Sequence, residues 1–327
     1  SLLRSAVKKD ILSKEAVDDF LSTIRTVSHT LHEDGQNVAS GKMSWEALLE
    51  QYGHLRPGSY DILSDNYAMN PEFYLKPVVL NSKNFRKVEN VLGDVWNSEK
   101  NEFFSSLAKI GLPSDQYFVE SFLRDAIEGR EYSKFVFSRS LSLAIEKIAA
   151  WGSNIGLNRE KLSKLTLDEI LVFSNIQPSR SDQQRLNLII NQRIKNKAFT
   201  LRTELPPLLF NVEDFSVFLH SENQPNFIGN EAITGECAHE REFTNRPSLE
   251  GLIAVIPQAD PGYDWLFSQN IAGLVTKFGG ANSHMAIRAA EFKIPAVIGI
   301  GELKYQKIST AKIVDINAQA RTLNVVR

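Results

Sequence analysis

One cysteine, Cys237, stands among 327 residues. A lone thiol excludes an internal disulfide and fits a reducing compartment, where the plain expectation is a buried or half-buried thiol. No apolar run approaches the roughly 20 residues that a bilayer-crossing helix needs, and no charged-then-apolar leader opens the sequence. Neither sign of charge dominates: 37 Lys and Arg face 39 Asp and Glu, for a formal net charge of -2. That balance gives no electrostatic case for nucleic acid or for an anionic membrane as partner. Internal repeats and low-complexity tracts are missing as well. Hydrophobic residues at 43% and charged residues at 23% are ordinary for a globular protein. The expectation is a cytoplasmic protein long enough for two domains.

Two regions of different texture follow one another, predicting an α + α/β fold. Residues 1–197 read as a mainly helical domain. Apolar residues recur there at three- and four-residue spacing, as in the stretch from Asp10 to Arg25 and in Phe137, Leu141, Ile145, Ile148 and Trp151. Thr166-Leu-Asp-Glu169 is a capping box ahead of Ile170-Leu-Val-Phe. Residues 198–229 read as a connector of short strands and turns, with prolines in 205–210 and 224–228. From 230 to 327 strands alternate with helices. Leu252–Ile256 is a strand, Asp260-Pro-Gly caps a helix, and Ile313–Ile316 with Leu323–Val326 forms a closing hairpin.

The most informative run is Thr276 to Gly299. It places His284 at the mouth of a helix, after the pair Gly279-Gly280 and downstream of the β-leaning run Ile271–Thr276. Asn282 or Ser283 suits the N-cap and Pro295 ends the element. The glycines let a ligand approach the main chain. A helix start offers unpaired N–H groups and a dipole worth about 0.3–1 kcal/mol to an anion. An imidazole nitrogen is a good nucleophile near neutral pH and a good leaving group once phosphorylated. The run therefore reads as a phosphoryl-carrying histidine, with a surface or cap-assisting histidine as the alternative. Arg288, one turn on, either reaches back to the phosphate or is solvated.

These residues resemble the phosphohistidine "swivel" domain of the phosphoenolpyruvate-utilising enzymes, the group of phosphoenolpyruvate synthase, pyruvate phosphate dikinase and rifampin phosphotransferase. Thr276, Gly279, Gly280, Ser283, His284, Ala286, Ile287, Ala289, Glu291, Ile294, Pro295, Ala296, Val297 and Gly299 match that family's pattern. Asn282 stands where the family has threonine, Met285 replaces alanine, and Ala290 replaces arginine while Arg288 appears two positions earlier. The resemblance implies that His284 is transiently phosphorylated and passes the group to pyruvate or another small-molecule acceptor. Thr276, Gly279, Gly280, Asn282, Ser283 and Arg288 would bind or orient the phosphate. It further implies ATP and Mg²⁺, bound outside this chain on an ATP-grasp-type nucleotide-binding domain of the same parent chain or of a separate protein. The chain itself shows no glycine-rich nucleotide loop and no residue set for a metal. It reads as part of a phosphotransferase, a stand-alone phosphocarrier, or a non-catalytic docking module.

Three segments of the helical region bear on the acceptor. Gln51-Tyr-Gly-His54-Leu-Arg56-Pro-Gly-Ser-Tyr60-Asp61 gathers a histidine, an arginine, a tyrosine and a carboxylate around a Pro-Gly turn. It resembles in part a segment of rifampin phosphotransferase and its relatives, with the arginine shifted by one and Ser59 in place of glutamate. His54, Arg56, Tyr60 and Asp61 are thus either acceptor-binding residues or parts of a helix-joining turn. Arg130, Lys134 and Arg139, interleaved with aromatics, face either phosphate or solvent. His29 and His32 could be neighbours on a helix, but they lack a third ligand for a metal.

Overall fold

A computed structural model describes residues 2–81, 92–174, 179–202, 210–215, 224–281 and 283–327. Its architecture is α + α/β. By contact the chain forms two compact units, Ser1–Gly53 with Asn70–Arg139 and His54–Met69 with Ser140–Arg327. The limits at 197 and 230 mark a change in sequence texture, whereas these units are defined by contact.

The first unit is helical. Ser13 caps the Lys14–Ser22 helix by accepting from the Ala16 N–H, and the buried face of that helix, Ala16, Val17 and Phe20, meets Trp96, Phe103, Phe104 and Leu107. Phe20 and Trp96 lie 4.6 Å apart, ring centre to ring centre. His29 and His32 are both buried in the Val27–Ala39 helix. The His29 Nδ1 accepts from the Thr26 N–H and the His32 Nδ1–H donates to the Ser28 carbonyl, so both rings serve the helix itself.

In the second unit, the 140–154 stretch of the long Gln116–Asn154 helix buries Ile145 and packs Ile148 and Trp151 against Leu157, Leu162, Phe173, Leu186 and Ile190. Phe137, expected on the same stripe, is exposed. The capping box forms as the spacing predicts: the Thr166 N–H donates to Glu169 and the Glu169 N–H donates to the Thr166 hydroxyl. Of the connector segments, 205–209 and 216–219 lie outside the described residues.

The described strands are β1 (Asn226–Ile228), β2 (Ala232–His239), β3 (Ile253–Gln258), β4 (Gly273–Phe278), β5 (Ala296–Ile298), β6 (Ile313–Asn317) and β7 (Thr322–Val325). They form one sheet in the order β1-β5-β4-β3-β2-β6-β7. The central strands β2 to β5 run parallel, and β1, β6 and β7 add antiparallel edges. β3 and β4 each open with four consecutive buried residues, as strands covered on both faces require. Ile253, Val255, Val275 and Val297 point to one face and join Ile300, Ile308 and Ala311 in a core. Cys237 sits in that core, where burial pushes its thiol up to about 11. Strand alternation sends Thr276 to the opposite face. That side carries the His284–Glu291 helix and a 3₁₀ helix, Pro261–Gln269, in contact with it.

The segment His54–Met69 forms a strap in this unit, organised around a buried arginine. Arg56 donates to the carbonyls of Asp61 (3.3 Å) and Ser64 (3.0 Å), the Ser142 hydroxyl (3.0 Å) and the Glu146 carboxylate (2.8 Å). Arg159 donates to the other oxygen of Glu146 (2.5 Å) and to the Ile62 carbonyl (2.9 Å). Burial raises the Glu146 pKa, but the two guanidinium partners outweigh it and hold the carboxyl below the ordinary glutamate value. A lowered folded-state value means that this stabilisation is present above the ordinary glutamate range and is lost as pH falls through the folded value. Glu146→Gln should cost about 1.5–3 kcal/mol at neutral pH. Urea unfolding as a function of pH should show the gap to the wild type closing under acid conditions; a constant gap would rule out this ionic role.

Candidate active site

The histidine site is built on the turn that links β4 to the His284–Glu291 helix. The Thr276 hydroxyl is buried, donates to the Phe278 carbonyl (3.0 Å) and accepts from the Gly299 N–H (3.1 Å). That pairing ties the end of β4 to the end of β5. Gly279 has φ +141° and Gly299 φ +76°, a region that favours glycine. A β-carbon on Gly279 would lie 2.6 Å from that of Ala259, and one on Gly299 would lie 2.3 Å from the Gly279 carbonyl oxygen. Gly280 has open space instead. Asn282 lies outside the described residues. Ser283 is the N-cap, extended at φ -67° and ψ 153°, its hydroxyl accepting from the Ala286 N–H. Met285, Ala286 and Ala289 bury the inner face of the helix.

The His284 side chain is 9% exposed, and its Nε2 lies 2.9 Å from Asp264 Oδ1. A carboxylate accepts, so Nε2–H donates and the lone pair of the neutral ring lies on Nδ1. The same oxygen of Asp264 accepts from Arg288 Nε–H at 3.0 Å. Arg288 also donates to Glu291, and its guanidinium lies 4.8 Å from the ring centre of Phe292, which stacks on Phe267. At 1% exposure Arg288 is no solvated side chain. Burial disfavours its charge, but Asp264 and Glu291 outweigh that and hold the guanidinium above its ordinary value. Arg288 is therefore beside the histidine, as its spacing predicts, and grips the carboxylate that grips the ring.

Sequence reading missed Asp264. It lies 20 residues before His284, inside the buried 3₁₀ helix, and its neighbours read only as a capped helix start. No local pattern marks it. The helix-facing placement of His284 and Asp264 arises only when two elements meet.

Of the candidates at 54–61, Arg56 is buried and engaged within the strap. Asp61 accepts from the Leu63 N–H at 2.9 Å, His54 is half-buried, and Tyr60 is 75% exposed. Arg130 and Lys134 pair with Glu131, and Tyr132 is exposed, in keeping with a solvated helix face. Among the described residues no cluster of three or more His, Cys, Asp or Glu could hold a metal ion. No described helix is long and apolar enough to cross a membrane.

A mixed sheet with a parallel centre, a glycine turn and a capped helix that bears a carboxylate-held histidine make up this site. Residues 249–321 match the family of the PEP-utilising enzyme, mobile domain. This match, together with the relatives that follow, supports a place for the chain among the PEP-utilising enzymes. It is similar to the rifampicin phosphotransferases of Bacillus cereus (27% identity over 286 residues) and Streptomyces sviceus (27% over 283 residues). The matches cover 78% of this chain and 31% of each relative. The rifampicin phosphotransferase of Bacillus subtilis is 25% identical over 280 residues. The chain thus spans about a third of the length of these curated relatives.

Two substitutions test the geometry. Gly299→Ala should destabilise the unit by about 1–3 kcal/mol through strain and the clash with Gly279. Asp264→Ala leaves the buried Arg288 with one carboxylate fewer and should cost about 3 kcal/mol. Denaturant unfolding measures both, and a loss under 0.5 kcal/mol, the scale of a neutral surface change, would contradict the described contacts.

Proposed function

We propose that His284 carries a phosphoryl group from a nucleotide donor to a small-molecule acceptor, as part of a larger phosphotransferase. The observation that supports this best is the placement of His284 at a capped helix start behind Gly279-Gly280, its ring held by a buried carboxylate. In the loading half-reaction an imidazole lone pair attacks phosphorus, a P–N bond forms, and the P–O bond to the donor breaks. In the second half-reaction an acceptor oxygen attacks, its proton is released, and the P–N bond breaks. His284 thereby splits one transfer into two. Asp264 orients the ring before attack and offsets positive charge that develops on it.

In this reading the Gly279-Gly280 turn and the Ser283 cap form the phosphate side, and the open space at Gly280 admits an oxygen. Thr276 orients the turn and Arg288 acts through Asp264. The donor is ATP with Mg²⁺, bound on an ATP-grasp-type domain outside this chain. The acceptor is pyruvate or another small molecule, and the relatives' name points to rifampicin. Tyr60, with its exposed ring, is the member of the 54–61 set best placed to meet an acceptor.

Mass spectrometry under non-acidic conditions, on the parent protein after incubation with ATP and Mg²⁺, tests the reading. An acid-labile phosphoryl group on His284, lost in His284→Ala, is the expected result. A folded, nucleotide-competent protein without the adduct would overturn it in favour of a docking module, and loading only from another phosphoprotein would identify a phosphocarrier.

A further inference from the structure

The carboxylate that holds His284 sits on a segment that is itself held from outside. Asp260 begins the 3₁₀ helix, its Oδ1 accepting from the Gly262 N–H at 2.9 Å. The same oxygen accepts from the Ser59 hydroxyl at 2.8 Å. Two residues on, the Gly262 carbonyl accepts from the buried Tyr67 hydroxyl at 2.9 Å. A β-carbon on Gly262 would lie 1.7 Å from the Arg56 carbonyl oxygen and 2.9 Å from Pro57 Cα, so the strap backbone lies directly on this residue. Tyr263 donates to Glu240 from the other side. Asp264 comes next, and it carries the bond to His284.

The strap is stiff enough to act as a reference. Its ends are joined by the Tyr67 N–H to the Leu55 carbonyl (2.7 Å), and Gly58 N–H donates to the Ser64 hydroxyl (3.0 Å). Arg56 fixes its middle to Ser142 and Glu146. A 3₁₀ run of nine residues is long for this kind of helix, whose hydrogen bonds are poorly aligned and hold it weakly. Its register therefore depends on outside contacts, each shifting the balance between held and displaced geometry by roughly fivefold.

We propose that Ser59 and Tyr67 are positioning residues for His284, acting through Asp260 and Gly262 to hold Asp264 against the imidazole. The strap, whose polar residues read in the sequence as either acceptor-binding or a helix-joining turn, then orients the histidine's ring. Its importance for turnover rests on the phosphoryl-carrier reading; the positioning itself does not.

The test uses the full chain with ¹⁵N-labelled histidine, the His284 ring signals being assigned with His284→Gln. Ser59→Ala, Tyr67→Phe and the double variant are compared with Asp264→Asn, which marks a ring released from its carboxylate. The variants should move the His284 nitrogen shifts toward those of Asp264→Asn. They should also lower the titration midpoint of the ring, because an opposed carboxylate favours the imidazolium. The signals of His29 and His32 should stay in place, and Ser59→Thr, which keeps the hydroxyl, should restore the native pattern. Folded variants with unchanged His284 shifts and midpoint would overturn the proposal. If Tyr67→Phe fails to fold, the half-exposed Ser59 decides alone by the same criterion. Because no phosphoryl donor is present, failure here is separate from failure of His284 to accept phosphate.

Discussion

A single carboxylate oxygen, Oδ1 of Asp264, accepts from both His284 and Arg288, and the site depends on that sharing. A carboxylate buried this deeply is costly unless it is paired, and Arg288 supplies the compensating charge. Once ionised in place, it can only accept, so it dictates which imidazole nitrogen bears the proton. Glu291 and the stacked rings of Phe267 and Phe292 complete the enclosure of the guanidinium. The histidine is thus part of a buried ionic cluster rather than a side chain resting on a helix end.

The cluster also explains why the turn before the helix has so little freedom. The main chain from β4 must pass Ala259 and Ile298 at Gly279, and the chain leaving β5 must pass Gly279 itself at Gly299. Both passages exclude a side chain, and the Thr276 hydroxyl joins them. The helix start is then fixed at its outer end by the turn and at its inner end by Asp264. Through the strap on Asp260 and Gly262, the 54–69 segment becomes part of the same mechanical unit.

Much of the site was legible because its signals are local. The glycine pair, the Ser283 cap, the small-residue face and the Pro295 stop all act within one turn of the chain, and strands with helices between them follow from hydrophobic period. The strap was legible only as an unusual concentration of polar residues around Pro57-Gly58. Its arginine looked available for a ligand, yet it is consumed by two carbonyls, a hydroxyl and a carboxylate up to 90 residues away. Arg288 carried two open readings; its burial excludes the solvated one, and its bond to Asp264 is a contact that neither reading named.

By itself the sequence determined the α + α/β character, the identity of His284 as the reactive candidate, and the cap and turn that present it, since each depends on residues within a few positions of one another. The tertiary structure alone decided that Asp264 holds the ring, that Arg288 serves Asp264, and that the 54–69 strap lies on Gly262. Those pairings join residues 20 to about 200 positions apart, and bonds across such separations form only after the intervening chain has packed, which no local periodicity encodes.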